Sequence, residues 1–211
     1  MSETLLKVTD LCVERGERRL FDQMHFQIGE GQVIQVAGPN GSGKTSLLKV
    51  LSGLATPVNG LFSWRGQKIF SANSYSDELL YVGHKPAVSM QLTPLENLRS
   101  YELTQGTTES ASPKLIEALS DLGLVGYEDE LCSRLSAGQK RRVGLARLRV
   151  TRASLWVLDE PFTAIDARGV ECLCGWIAAY VAKGGSVVFT THQAVEFPNL
   201  TPEVLDLTAV R

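Results

Sequence analysis

The feature that most constrains this chain is a glycine-rich stretch between two apolar patterns. Residues 38–45 read Gly-Pro-Asn-Gly-Ser-Gly-Lys-Thr and follow a short apolar run at 33–37. A helical pattern comes next, with leucines from Leu47 to Leu54 along one side. The stretch therefore predicts a strand, a tight turn and a helix in direct succession.

The order of the remaining patterns predicts the fold class. Strand patterns lie at residues 5–9, 20–28, 33–37, 60–64, 79–82, 155–158, 186–190 and 204–207. Helical patterns follow residue 43, occupy most of the chain from 93 to about 152, and return at 167–183. Alternating strands and helices indicate a mostly parallel sheet covered on both faces. We expect one domain over 1–211, with a core from about 1–84 and 153–211 and a helical lobe over about 85–152.

The stretch at 38–45 also predicts a ligand, because it matches G-x-x-x-x-G-K-[ST] in full. The flanking strand and helix argue against a glycine-rich turn that precedes a lysine by chance. We expect the loop to bind the phosphates of ATP, Lys44 to reach the β- and γ-phosphates, and the Thr45 hydroxyl to bind Mg²⁺. The candidate binding residues are Gly38, Pro39, Asn40, Gly41, Ser42, Gly43, Lys44, Thr45 and Ser46.

Two acids end the apolar strand at 155–158. Ligands of open parallel sheets lie beyond the carboxyl ends of the strands, where Asp159 and Glu160 are expected. Asp159 is predicted to hold Mg²⁺, and Glu160 to orient the attacking water. The alternative is a solvated acidic turn before Pro161, which the complete loop upstream disfavours.

Residues 135–139, Leu-Ser-Ala-Gly-Gln, resemble the LSGGQ signature of the ATP-binding-cassette family, with alanine at the third position. Ser136 and Gln139 also form a capping-box pattern, and both interpretations rest on the free N–H groups of a helix start. The resemblance implies that Ser136, Gly138 and Gln139 contact the γ-phosphate held by a second subunit. It therefore implies a head-to-tail homodimer, an α/β fold with a P-loop NTPase core and an N-terminal antiparallel β part, and a helical signature subdomain.

Further residues resemble other marks of this family. Residues 164–166, Ala-Ile-Asp, resemble the loop that crosses the dimer interface, although Asp166 is also suited to cap the next helix. His192 falls where the family places a histidine near the phosphates, although a lone histidine is more often structural. The resemblance implies that Lys44, Glu160 and His192 are the catalytic residues.

Two positions depart from the family pattern. The aromatic residue that stacks on adenine would fall at Arg15, so either the Arg15 guanidinium or Phe21 is expected to replace it. The family has a glutamine after the strand at 79–82, and this chain has His84 there. A neutral imidazole is a poor ligand for Mg²⁺, which prefers oxygen, but it could orient water by hydrogen bonding. Gln91 is a second, weaker candidate for that role.

The segments at 81–84, 92–98, 135–143 and 158–166 resemble one branch of the family, which serves bacterial cytochrome c maturation. The resemblance implies a peripheral ATPase subunit on the cytoplasmic face of the inner membrane, docked on integral membrane permease subunits. It would act indirectly on a periplasmic haem chaperone, with the cargo either haem itself or the released chaperone. Two alternatives stay open: an ATPase subunit for another cargo, such as a drug or lipid, and a non-transport cassette protein.

Composition and charge narrow the partners. The chain has 211 residues, a net charge of -2 and an isoelectric point near 6.0, which disfavours a nucleic-acid partner. Basic residues between 140 and 152 are interpreted mainly as a solvated helix face, some of which could meet an anionic partner. The four cysteines are expected to be ordinary thiols. The first ten residues lack the pattern of a secretory leader, so we expect the chain on the cytoplasmic side.

Overall fold

A parallel sheet and an antiparallel sheet organise the computed structural model, which describes residues 3–69, 72–106 and 112–208. The parallel sheet has the strand order β6-β7-β8-β3-β9, and the antiparallel sheet has the order β2-β1-β4-β5. The strands are β1 Thr4–Arg15, β2 Arg18–Gly29, β3 Val33–Ala37, β4 Asn59–Trp64, β5 Gln67–Ile69, β6 Leu79–Val82, β7 Leu155–Leu158, β8 Ser186–Phe189 and β9 Glu203–Asp206. The helices are α1 Lys44–Leu51, α2 Pro94–Thr104, α3 Ser112–Asp121, α4 Ala137–Ala146 and α5 Ala167–Val181.

Strand β7 shows how the central sheet divides the core in two. Its four residues are all buried, and successive side chains point to opposite faces. Leu155 and Val157 pack with α1 and the antiparallel sheet, whereas Trp156 and Leu158 pack with α5 and the helices between β6 and β7. An uninterrupted apolar strand is therefore explained by burial on both faces, as the sequence predicts.

The first two strands are longer than their apolar alternation indicates. The observed β1 continues from Thr9, where its predicted strand ends, to Arg15. The register slips between Val8 and Leu11, and Asp10 has a left-handed φ of 53°. Such a bulge moves later side chains to the other face, so a strict period of two stops predicting the strand at that point.

The helical lobe lies between β6 and β7, where helices α2, α3 and α4 contact one another. A capping box begins α2: the Glu96 N–H donates to Thr93 Oγ1 at 3.2 Å, and the Thr93 N–H donates to Glu96 Oε2 at 2.8 Å. Pro94 occupies the first turn, where its missing N–H costs nothing. Across the described ranges, no helix combines the length and apolar character needed to cross a membrane.

The interpretation of the basic residues at 140–152 as a solvated face is wrong for most of them. Arg141 is buried, and Arg142 donates to the Leu122 carbonyl at 3.2 Å. The Arg147 guanidinium lies 5.4 Å from the centre of the Tyr101 ring, and that of Arg149 lies 5.4 Å from the Trp176 ring. These arginines pack within the lobe and join it to α5 and the central sheet, because a guanidinium can stack on an aromatic ring or bond carbonyls.

Candidate nucleotide site

The loop between β3 and α1 wraps around a lysine. The Lys44 side chain is buried, and its ammonium donates to the carbonyl of Gly38 at 2.7 Å and to that of Pro39 at 3.4 Å. Gly38, Gly41 and Gly43 have positive φ angles, so successive backbone N–H groups can turn inward before α1 begins. The loop therefore combines a cation, backbone N–H groups and a helix start, which together suit a polyphosphate.

Gly43 cannot be replaced by a larger residue, because Phe21 of β2 lies directly beneath it. A Cβ added at Gly43 would sit 2.5 Å from the Phe21 ring, and the φ of 104° itself favours glycine. The Phe21 ring is 1% exposed. The alternative that Phe21 stacks on adenine is therefore wrong, because the ring is fixed in the core and supports the loop from below.

Three hydroxyl and carboxylate oxygens meet at the end of β7. The Asp159 carboxylate is buried and accepts from Thr45 Oγ1 at 3.3 Å and from Thr190 Oγ1 at 2.9 Å. Thr45 and Asp159 both line the cleft described below, and such oxygen atoms are the ligands that Mg²⁺ prefers. These two residues fit the predicted metal site. Burial is the main cause that raises the pKa of the nearby Tyr81 to about 12, and the negative charge of Asp159 raises it further.

Glu160 and His192, two of the three predicted catalytic residues, contact each other. His192 Nε2 lies 3.3 Å from Glu160 Oε1, and the His192 N–H donates to Glu160 Oε2 at 3.3 Å. Glu160 has a left-handed φ of 53°, which a residue with a side chain adopts only when its surroundings hold it. The side chain of Glu160 is mostly buried, whereas that of His192 is more than half exposed.

A cleft of about 220 Å³ joins these groups. It combines phosphate-loop residues, both acids and His192 with two residues that flank the turn between β1 and β2. The lining residues are Arg15, Leu20, Asn40, Gly41, Gly43, Lys44, Thr45, Ser46, Asp159, Glu160 and His192. The exposed Arg15 is thus the remaining candidate for the adenine contact.

The other predicted binding residues do not line this cleft. Ser136 and Gln139 form the capping box of α4, with the Gln139 N–H donating to Ser136 Oγ at 3.1 Å. A Cβ built on Gly138 would lie 3.3 Å from the Ala164 carbonyl, so the start of α4 adjoins the loop that leads to α5. Asp166 caps α5 by accepting the Gly169 N–H at 2.9 Å, as its alternative interpretation expects.

His84 also lies outside the residues that line the cleft, although it is close in sequence to β6. Its side chain is exposed, and its carbonyl accepts a hydrogen bond from Arg141 at 2.8 Å. The segment at His84 is therefore tied to the helical lobe through its backbone.

Two further residues at the site have no counterpart among the residues that the sequence predicts. Thr190 bonds both Asp159 and the Glu160 N–H, and Arg141 bonds the backbone carbonyls of both acids. The sequence predicts Thr190 only as the end of a strand, where a buried β-branched residue needs no further explanation. Arg141 stands in a run of basic residues, and the local sequence carries no sign of its burial.

The fold and the cleft define an ATP-binding domain of the ABC type. The chain belongs to the ABC transporter family, whose family model matches residues 21–163. Among curated proteins, it is similar to the cytochrome c biogenesis ATP-binding export protein CcmA of Escherichia coli O157:H7. The two are 44% identical over 208 residues, which is 98% of each chain. The protein of the same name from Idiomarina loihiensis is 45% identical over 96% of this chain and 92% of its own.

Solved structures of low sequence identity share the fold. A putative ABC transporter ATP-binding protein from Pyrococcus furiosus has a TM-score of 0.81 and 22% identity, and the match covers 97% of this chain and 98% of that one. An ATP-binding cassette solved as a dimer in a post-hydrolysis state with ADP and Pi has a TM-score of 0.78 and 22% identity. That match covers 90% of this chain and 88% of the other. The predicted α/β class with a parallel sheet, an antiparallel part and a helical region is confirmed.

Proposed function

We propose that the chain is the ATP-hydrolysing subunit of an inner-membrane ABC transporter that serves haem export or delivery in c-type cytochrome biogenesis. The observation that carries the proposal is identity of 43–45% over nearly the full length of cytochrome c biogenesis ATP-binding export proteins. The cleft supports it, because the predicted phosphate loop, both acids and His192 meet there.

Within the cleft, each residue has a proposed task. The phosphate loop and Lys44 hold the β- and γ-phosphates, and Thr45 with Asp159 holds Mg²⁺, which supplies charge neutralisation on the phosphates. Glu160 accepts a hydrogen bond from the attacking water and orients it. His192, which already bonds the Glu160 carboxylate, keeps that group aimed at the γ-phosphate side of the cleft.

The remaining predicted residues are proposed to act across a homodimer. Ser136, Gly138 and Gln139 lie at the N-terminus of α4, outside the cleft of their own chain. A helix start with small residues can bind an anion, so α4 of one subunit would close the γ-phosphate side of its partner's cleft, and Asp166 would lie at the crossing. The dimeric cassette with ADP and Pi, which shares this fold, supports that arrangement.

The proposed setting is peripheral, on the cytoplasmic face of the inner membrane. Integral membrane permease subunits of a cytochrome c maturation complex would be the direct partners, and a periplasmic haem chaperone an indirect one. ATP would stabilise the closed dimer, because phosphate contacts then come from both subunits, and hydrolysis would remove them.

The test replaces the native chain in cells by Glu160→Gln. We expect covalent haem to disappear from periplasmic c-type cytochromes while b-type cytochromes remain, because ATP would still bind but the cycle would stop. Haem staining of periplasmic proteins and reduced-minus-oxidised spectra of membranes measure the two classes separately.

Glu171→Gln is the matched control, since it makes the same chemical change at an exposed position of α5. It should leave both cytochrome classes at their normal levels, and Lys44→Ala should reproduce the loss. Normal c-type cytochromes in the Glu160→Gln strain would overturn the proposed function and leave an ABC ATPase of another cargo.

A further inference from the structure

Arg141 of α4 is buried at the point where the helical lobe meets the central sheet. It is 6% exposed, and its guanidinium bonds four backbone carbonyls. Nη1 donates to Gly83 at 3.4 Å and to His84 at 2.8 Å, while Nη2 donates to Asp159 at 3.0 Å and to Glu160. None of these bonds is an ion pair with a side chain, so the arginine holds the backbone itself in place.

The four carbonyls belong to the ends of two neighbouring strands. β6 and β7 are parallel partners with Val82 opposite Leu158, and the Asp159 N–H still donates to the Val82 carbonyl at 2.8 Å. Arg141 bonds the carbonyls of the two residues that follow each strand. A planar guanidinium with donors on two sides can hold both, whereas the single ammonium of a lysine cannot.

We infer that Arg141 is a positioning residue for Glu160. The Glu160 backbone is held from both sides, because its N–H donates to Thr190 Oγ1 at 2.9 Å and its carbonyl accepts from Arg141. These two bonds maintain the left-handed φ of 53°, which sets the direction in which the carboxylate leaves the chain. The inference rests on the proposed function, in which Glu160 orients the attacking water.

The same geometry ties the carboxylate to the helical lobe. Arg141 lies one turn into the helix whose N-terminus carries Ser136, Gly138 and Gln139. A shift of α4 therefore moves the guanidinium, the Glu160 carbonyl and the segment at His84 together. Arg142, the next residue, donates instead to Leu122 within the lobe and provides a matched control.

The test compares Arg141→Gln, Arg141→Lys and Arg142→Gln in the purified full-length chain. Steady-state ATPase assays give kcat and KM, binding of a fluorescent ATP analogue gives Kd, and thermal unfolding reports folding. We expect Arg141→Gln to lower kcat about 100-fold, because misplacement of a catalytic group by about 1 Å costs that much, while Kd stays within about threefold. Arg141→Lys, which keeps some of the bonds, should lose about tenfold in kcat and remain folded if the glutamine variant does not. Arg142→Gln should keep wild-type kcat.

A double-mutant comparison shows whether Arg141 acts through Glu160. The residual single-turnover rate of Glu160→Gln should be unchanged when Arg141→Gln or Arg141→Lys is added, because the positioned carboxylate is already gone. Three results would overturn the inference. They are a further drop in the single-turnover rate of the double variants, a rise in Kd as large as the fall in kcat, and equal kcat values in the position 141 and position 142 variants. Absence of ATPase activity in the wild-type chain would instead count against the proposed function.

Discussion

Thr190 is a fully buried hydroxyl between the two acids of the site. It donates to Asp159 Oδ1 and accepts the Glu160 N–H, both at 2.9 Å, directly after β8 ends. A hydroxyl both donates and accepts, so one small side chain satisfies a carboxylate and a backbone donor that would otherwise be buried without partners. Thr190, which follows β8, therefore fixes how the neighbouring strand β7 presents both acids.

Thr190→Val should destabilise the protein by about 1–3 kcal/mol, because the Glu160 N–H loses its partner while the side-chain shape is kept. Urea unfolding measures the change, and kcat for ATP should fall with it. Thr190→Ser is the control, since it keeps the hydroxyl and loses only a methyl group. If the valine variant were as stable and active as the serine variant, the hydroxyl would have no role.

The burial of single side chains could not be predicted from the sequence. The spacing around strand ends predicts Lys44, Asp159 and Glu160 as site residues, and the structure brings all three to one cleft. The predictions for Arg141 and Phe21 are wrong, since the roles of both residues come from contacts with residues 18 or more positions away. Local pattern contains no record of such contacts.

At the scale of elements, apolar runs with clear boundaries were predicted best. The strands predicted at 33–37, 79–82 and 155–158 are observed with the same bounds, because turns and polar residues end each apolar run sharply. The short strand Gln67–Ile69 was missed, since three residues cannot show a period. Helix starts were predicted through their caps, which depend on residues only three positions apart.

Thr93→Ala tests the value of one such cap. The variant should lose about 1 kcal/mol of stability, because the Glu96 N–H at the start of α2 loses its acceptor. Chemical denaturation measures the loss, and Thr93→Ser should restore most of it. ATP turnover per folded molecule should match the wild type, since Thr93 does not line the cleft. A Thr93→Ala protein as stable as wild type would show that the box adds nothing in this context.

At the scale of the whole molecule, the two cores bury several weak acids. Burial raises the pKa of Tyr75 and Tyr180, that of Tyr81 to about 12 and that of the Cys174 thiol to about 11. Tyr75 and Tyr180 also donate to the carbonyls of Leu51 and Ala153, at 2.6 and 2.7 Å. The folded state therefore holds these protons more tightly than the unfolded chain does.

Stability should consequently fall at alkaline pH. Each of these groups has a higher pKa in the folded state than in the unfolded chain. Its contribution to stability is complete below its unfolded pKa, which is near 8.5 for cysteine and about 10 for tyrosine. That contribution is lost as the pH rises towards the folded pKa. Urea unfolding between about pH 8 and pH 11 measures the slope. Tyr81→Phe should make it shallower, whereas Tyr127→Phe, at an exposed position, should not. A stability that stays flat over this range would contradict the expected ionisation of the cores.

The left-handed backbone of Glu160 has a consequence for anyone who evolves or engineers this protein. A glycine there would relieve roughly 1 kcal/mol of conformational strain, since it adopts positive φ without a steric penalty. Selection for heat resistance alone would thus favour loss of the acid, and a stability-guided redesign would remove the residue that we propose orients the attacking water. Screens for hardier variants of this chain must select for turnover and thermal tolerance together.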